Sequence, residues 1–366
     1  MTHTVDTESP ETRVVPVMLP LLPQFSEVRH YLTRCDESRV YSNHGPLVRQ
    51  LEARYSDHFG VSRERVVAVS SGTVALQALL ASYAGTTVTV PAFTFPATLH
   101  AAAQAGKNLV IADVSRETAM CTDSARGGLS LVAIPFGGPI DWSVVEGIQA
   151  DGIVIDAAAS TAMISKSLAA LPPNAGVAIS LHATKVLGAG EGGIAVCGSS
   201  DQANFVRRFI NFGFAAQFRE SMHAGINGKM SEITAAYALA ALDNFPEERR
   251  EWLAHSQKMW ELTSRLGVAD RHFDPRWVSP YWVIRTPPAI EARVVQQVLL
   301  NSYQISSRVW WTNCAQMEPF RRFSVDPGAF ESAEYLEKHL LGLPRFRGMT
   351  DAEFGRVENA LLRTLT

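Results

Sequence analysis

The chain has 366 residues, a net charge of −3 at neutral pH, 46% hydrophobic residues and 19% charged residues. That length suits two domains of about 150 residues each with ample core, and the balance is ordinary for a globular protein. A charge so close to zero gives no electrostatic case for nucleic acid or an anionic membrane surface, so neither is expected as a partner.

The N-terminus, MTHTVDTESPETR, is polar and carries no apolar h-region. A disordered stretch over residues 1–15 and a cytoplasmic location are the expectations. No apolar run approaches the ~18 residues of a membrane span. RVVAV (65–69) is a short apolar run leading into SSGT and then VALQALLASYAG, which reads as a strand, a turn and a helix. TTVTVP (86–91) is β-branched and ends at proline, and TFPATLHAAAQAG follows as an Ala-rich helix stopped by Gly106. NLVIADV (108–114), LSLVAIPF (129–136), GIVIDAA (152–158), VAISL (177–181) and GGIAVC (192–197) are further apolar runs bounded by Gly, Pro or polar residues. Such runs suit strands buried on both faces, so the first two thirds predict an α/β domain with a mainly parallel sheet. From Met230 the chain turns long and helical. WVSPYWVIR reads as a core strand, and DAEFGRVENALLRTL as a closing helix. The expected division is a large domain over 16–245 and a smaller α+β domain over 246–366.

Four cysteines (Cys35, Cys121, Cys197, Cys314) lie far apart with no C-x-x-C pair. They read as reduced core thiols, not as a disulfide frame or a metal site.

Between two strand runs lies SLHATKVLGAGEGG (180–193), whose glycines match G-x-G-x-x-G. A dinucleotide fingerprint must open a helix and be followed about 20 residues on by an acidic residue. Here a strand follows, and RFINFGFAA has no carboxylate, so that reading fails. Lys185 gains meaning from three other segments. Asp156 ends the strand GIVI at the edge where ligands of open α/β sheets collect. SSGT (70–73) occupies a strand-to-helix junction, where unpaired N–H groups and the helix dipole favour a phosphate; a plain Ser/Thr cap is the alternative. Phe95 sits just past another strand end. An anion cradle, an aromatic platform, a carboxylate and a lysine are the parts required by pyridoxal 5′-phosphate (PLP).

The chain resembles the DegT/DnrJ/EryC1/StrS family of PLP-dependent sugar aminotransferases. The resemblance runs from SNHGPLVRQLEARYSDHFG through VSSGTVALQALL, VTVPAFTFPAT, VIDAAA, SLHATKVLGAGEGG and GINGKMSEITAAYALAALDNF to SSRVWWTNCAQMEPF and LLGLPRF. It implies the type I aminotransferase fold, with Lys185 as the Schiff-base lysine, Asp156 facing the pyridine nitrogen and Phe95 stacking on the ring. Ser71, Gly72, Thr73 and Ser180 would hold the phosphate. Asn227 would reach that phosphate from a neighbouring subunit, so a homodimer with shared sites is implied. The implied donor is an amino acid, usually glutamate, and the acceptor a nucleotide-linked keto-sugar. A non-nucleotide ketone, such as a cyclitol or an amino-acid-derived acceptor, is the alternative. The lysine separates the chain from the family's dehydratase offshoots, which have histidine in its place. One departure stands out: many relatives have Gln or His three residues after the aspartate, where this chain has Ala159. His182 reads as a packed neighbour of the site, and Glu191 as a support of the glycine loop or a solvated charge. Trp310 and Trp311 are read equally as a sugar platform or as core.

Overall fold

The computed structural model describes residues 13–121, 128–215, 220–323 and 330–365. In chain order the elements are α1 (Phe25–Ser38), α2 (Pro46–Phe59), β1 (Val66–Val69), α3 (Gly72–Ala81), β2 (Thr87–Pro91), α4 (Ala97–Gln104), β3 (Asn108–Ala112) and β4 (Leu129–Ala133). They continue with α5 (Trp142–Glu146), β5 (Gly152–Asp156), β6 (Ala175–Ser180), β7 (Gly193–Cys197), α6 (Ser200–Phe209) and α7 (Glu232–Arg265). The last are β8 (Trp282–Arg285), α8 (Ala292–Tyr303), β9 (Arg308–Val309), α9 (Glu331–His339), β10 (Leu340–Leu343) and α10 (Asp351–Leu365).

Each apolar run becomes a strand because its side chains leave water on both faces of the sheet. Every residue of β1, β4, β5 and β7 is buried. Burial of one Val, Leu or Ile contributes about 1.5–3 kcal/mol, so such a run is stable only where both faces of the sheet are covered. The seven strands have the order β1-β7-β6-β5-β4-β2-β3. All neighbouring pairs are parallel except those of β7, which runs antiparallel to both β6 and β1. Six strands therefore point one way, and their carboxyl ends share one edge. A second, three-stranded sheet of order β8-β10-β9 is covered by α8 and α10 around Trp282, Leu299, Leu341 and Val357.

The 34-residue α7 runs from the first sheet's flank to the second core and passes residue 246, the expected boundary, without a break. Its start is fixed from two sides. Ser231 caps its first turn through the Thr234 amide, and the buried Glu232 carboxylate accepts from the Leu47 and Val48 amides at the start of α2. The last two residues of the GINGKMSE block thus cap one helix and join it to another. Of the N-terminal stretch expected to be disordered, residues 1–12 lie outside the described residues, and Val15 corrects the rest. It is buried and exchanges backbone bonds with Gln304 and Ser306, because an apolar side chain and an unpaired edge meet there. None of the four cysteines forms a disulfide, and all are buried. Among the described residues no helix is long and apolar enough to cross a membrane, and no acidic, His or Cys cluster could hold a metal.

Candidate active site

The shared carboxyl edge of the first sheet opens into a cleft of about 570 Å³. Ser71, Gly72, Thr73, Phe95, Asp156, Ser180 and Lys185 all line it, so the structure brings seven of the eight candidate residues together. Asn227 is exposed and lies outside the cleft of its own chain, its amide oxygen accepting from Lys229 Nζ at 2.7 Å.

The anion cradle begins where β1 ends. Ser71 is the N-cap of α3, and its hydroxyl accepts from the Val74 amide. The remaining first-turn amides have no acceptor within the helix, so they are available to an anion. Gly72 is required by close approach: a Cβ there would lie 2.9 Å from Ser180 Cβ. The missing side chain lets the turn from β1 press against the end of β6, placing the Ser71–Thr73 turn beside Ser180.

Asp156 ends β5 and is almost wholly buried. Its carboxylate accepts from Thr98 Oγ1 at 2.7 Å and from the Ala158 amide at 3.1 Å, and Thr98 is itself paired with Thr94. Burial pushes the carboxyl above its ordinary value, against the pull of these two donors and of Lys185. A cation placed against it would favour the ionised form.

Lys185 stands on the loop between β6 and β7. The loop folds back on itself through Leu181 N to Gly192 O, Ala183 N to Gly190 O and Ala189 N to Leu181 O. Gly188 and Gly190 make this possible: a Cβ on Gly188 would lie 2.8 Å from Ala183 O, and Gly190 has φ +92°. The glycines therefore wrap the lysine's own segment and open no helix. His182 lies in the cleft wall. Its Nδ1 accepts from the Thr184 amide, which leaves the proton on Nε2, 3.6 Å from Glu191.

The outer wall is aromatic. Phe95 is 60% exposed at the mouth. Phe136 stacks on Trp311 with ring centroids 4.8 Å apart, and Tyr281 meets Trp310 edge-on at 5.0 Å. Trp310 is buried against Gly342, as its core reading expects, whereas Trp311 is half-buried; both border the cleft. Sequence reasoning missed Tyr281, whose hydroxyl accepts from Lys185 Nζ at 2.7 Å. It lay inside WVSPYWVIR, read as one core strand, but the strand begins only at Trp282. Pro280 offers no N–H to a ladder and the Ser279 hydroxyl accepts the Tyr281 amide, so the chain is a bent loop there. A proline within the run was the signal that could have shown it.

The fold is that of the PLP-dependent aminotransferases. The model of the DegT/DnrJ/EryC1/StrS aminotransferase family matches residues 25–126 and 149–362, and the chain belongs to that family. The Mycobacterium tuberculosis protein Rv3402c is 33% identical over 276 residues, which are 70% of this chain and 65% of the relative. This chain thus spans just under two thirds of the length of that relative. A dTDP-4-amino-4,6-dideoxy-D-glucose transaminase from Shigella dysenteriae is 28% identical over 242 residues, 62% of this chain and 64% of the relative. Among solved structures, DesI in the presence of its TDP-sugar product superposes with a TM-score of 0.81 at 27% identity, covering 96% of this chain and 94% of that one.

Proposed function

We propose that this chain is a PLP-dependent aminotransferase that moves an amino group from an amino acid, with glutamate the expected donor, to the keto group of a nucleotide-linked sugar. The reading rests on one observation. A single cleft gathers Lys185, the buried carboxylate of Asp156, the open first turn of α3 beside Ser180, and the exposed ring of Phe95. PLP has an aldehyde, a basic ring nitrogen, a phosphate and an aromatic face, and these four groups fit the four features. The relatives that act on dTDP- or TDP-sugars support the acceptor class.

When bound, PLP supplies an electron sink for the carbon that loses a proton. The chain's own residues do the rest. Ser71, Gly72, Thr73 and Ser180 hold the phosphate through amides and hydroxyls, and Phe95 covers the ring. Asp156 keeps the proton on the ring nitrogen. A carboxylate and a cation about 3 Å apart attract by roughly 5 kcal/mol at an effective dielectric near 20, before desolvation is counted. Lys185 would be the amine that holds the cofactor through its aldehyde, and its freed amine would serve as the general base for the proton on the substrate α-carbon. His182, Glu191 and the Trp311 face line the path by which substrates reach the lysine.

The active unit is a homodimer in which Asn227 of each chain completes the phosphate site of the other. Its exposure supports this, as does the apolar surface beside it, where Phe212 is 43% and Met222 67% exposed. One observation favours a second acceptor class. Beyond Asp156 the β5 side of the cleft presents Ala158 and Ala159, which leaves room for a cyclitol or an amino-acid-derived ketone. The deciding experiment supplies PLP-loaded protein with glutamate and a panel of keto-sugar nucleotides and keto-cyclitols, scoring amination by mass. Amination of a sugar nucleotide supports the main reading. Amination of cyclitols alone selects the second, and no amination of any ketone overturns both.

A further inference from the structure

The proposal assigns Lys185 its chemistry but names nothing that holds its amine in place. On the β5 side the cleft wall beyond Asp156 is alanine, Ala158 and Ala159. The polar atom at the amine comes from the opposite side: Tyr281 Oη, 2.7 Å from Lys185 Nζ. We infer that Tyr281 is a positioning residue for Lys185, its hydroxyl orienting that nitrogen and setting its proton equilibrium. The inference rests on the proposed PLP chemistry.

The Tyr281 ring and backbone are held by packing and by hydrogen bonds through Ser279. Edge-on packing against Trp310 at 5.0 Å and against Phe136 at 6.1 Å sets the plane of the Tyr281 ring. The Tyr281 amide donates to Ser279 Oγ at 3.0 Å, and that hydroxyl donates in turn to Phe136 O at 2.6 Å. The Ser279 carbonyl accepts from Arg345 Nε at 2.6 Å. Arg345 is buried, and its other hydrogen-bond partners are neutral: Ser256 Oγ at 2.7 Å, Met259 Sδ at 2.9 Å and Trp252 O at 3.4 Å. A buried guanidinium satisfied by neutral acceptors anchors the loop strongly, because loss of any one acceptor leaves a charge-bearing donor unpaired. The whole chain of contacts ties the end of β10 and the middle of α7 to the lysine.

The loop also touches the alanine side. A Cβ built on Gly137, at φ +77°, would lie 2.7 Å from Ala159 O and 3.3 Å from Ser279 Oγ. Tyr281 is therefore mounted immediately across from the alanines, where a polar atom is otherwise missing. A tyrosine hydroxyl suits the task because it both accepts and donates. It accepts from a protonated amine, and it donates to the lone pair of an unprotonated one. The other titratable or charged groups lining the cleft are Asp156, His182, Glu191 and Arg308.

Tyr281→Phe tests this, since it removes one oxygen and keeps the ring packing. The wild-type protein is first loaded with PLP, and its visible band is titrated with pH; a band that borohydride bleaches establishes the underlying chemistry. The variant should keep its melting temperature within about 2 °C and still bind PLP. The pH midpoint of its visible band should move by about one unit or more, a tenfold change in the proton equilibrium at the lysine-bonded nitrogen. Its kcat should fall by roughly tenfold to a hundredfold, with both substrate KM values within about threefold, as expected when a proton-transferring group loses its orientation. Ser279→Ala, which frees the Tyr281 amide but leaves the hydroxyl, should move the midpoint in the same direction by less. An unchanged midpoint and kcat in a folded, PLP-bound Tyr281→Phe protein would overturn the inference and leave the PLP reading standing. Absence of any visible band in the wild type would instead overturn that reading.

Discussion

The two walls of the cleft are built differently. The inner wall is the carboxyl edge of the parallel sheet, where Ser71, Asp156 and Ser180 each stand at or just past the end of a buried strand. The outer wall, with Tyr281, Trp310, Trp311 and Arg308, comes from a bent loop and a two-residue strand that belong to the second sheet's region. On the inner wall each side chain is placed by local rules, because an apolar run ends and the next residue must face the edge. On the outer wall each is placed by distant partners, such as Arg345 on Ser279 and Gly342 beneath Trp310. The inner wall should therefore carry the chemistry common to the fold, and the outer wall the tuning and selection particular to this chain.

The strongest test of that division is the loss of the lysine and its rescue. Lys185→Ala alone should lower turnover by more than about a thousandfold, since both the covalent bond and the proton carrier go. Asn227→Ala should be nearly inactive if the loop serves its partner's phosphate. When the two variants are mixed and re-paired, one site of each mixed dimer regains an intact lysine and an intact partner asparagine. Random pairing then restores roughly a quarter of all sites. No recovery, in a mixture where wild-type chains treated alike do recover, would place Asn227 in its own subunit and remove the shared-site account.

Asp156→Asn should retain PLP and slow both half-reactions by about a hundredfold or more, because nothing then keeps the ring nitrogen protonated. Its effect on stability has the opposite sign. Burial raises the Asp156 carboxyl above its ordinary 3.8. A raised acid is most favourable to the folded state below 3.8, and that contribution is lost as pH rises through the folded value. The cofactor-free variant, which cannot ionise there, should melt no lower than wild type at neutral pH and should gain on it between acidic and neutral pH. A cofactor-free variant that melts well below wild type at pH 7 would show that the carboxylate has a cationic partner in the empty cleft.

The smallest effect belongs to the outer wall. Trp311→Ala removes the ring stacked on Phe136 and should raise the acceptor KM about tenfold. The donor half-reaction, followed by the loss of the visible band with glutamate, should stay within about twofold. Equal damage to both halves would mean that Trp311 supports Phe136 and the fold, not the acceptor.

The same division governs what could be read from the chain alone. The strands of the first sheet, the closing helix over Asp351–Leu365 and six residues of the cleft follow from apolar runs and their flanking turns, and Ser180 from the family resemblance. Tyr281 did not, because an apolar run interrupted by Pro280 looks like a strand until Ser279 is seen to take its amide. Val15 did not either, since its partners are Gln304 and Ser306 at the far end of the chain. Glu232 stands in a block that carries the family resemblance, and its carboxylate receives the amides that open α2. For Val15 and Glu232 the deciding contact joins residues far apart in sequence, and no local pattern encodes it; for Tyr281 the local signal was Pro280.

The account stands or falls on which lysine takes the cofactor. The PLP-loaded protein, reduced with borohydride and digested, should yield one peptide carrying the reduced cofactor, with the adduct on Lys185 in SLHATKVLGAGEGG. An adduct on any other lysine, or none from a protein whose visible band was present before reduction, would contradict it.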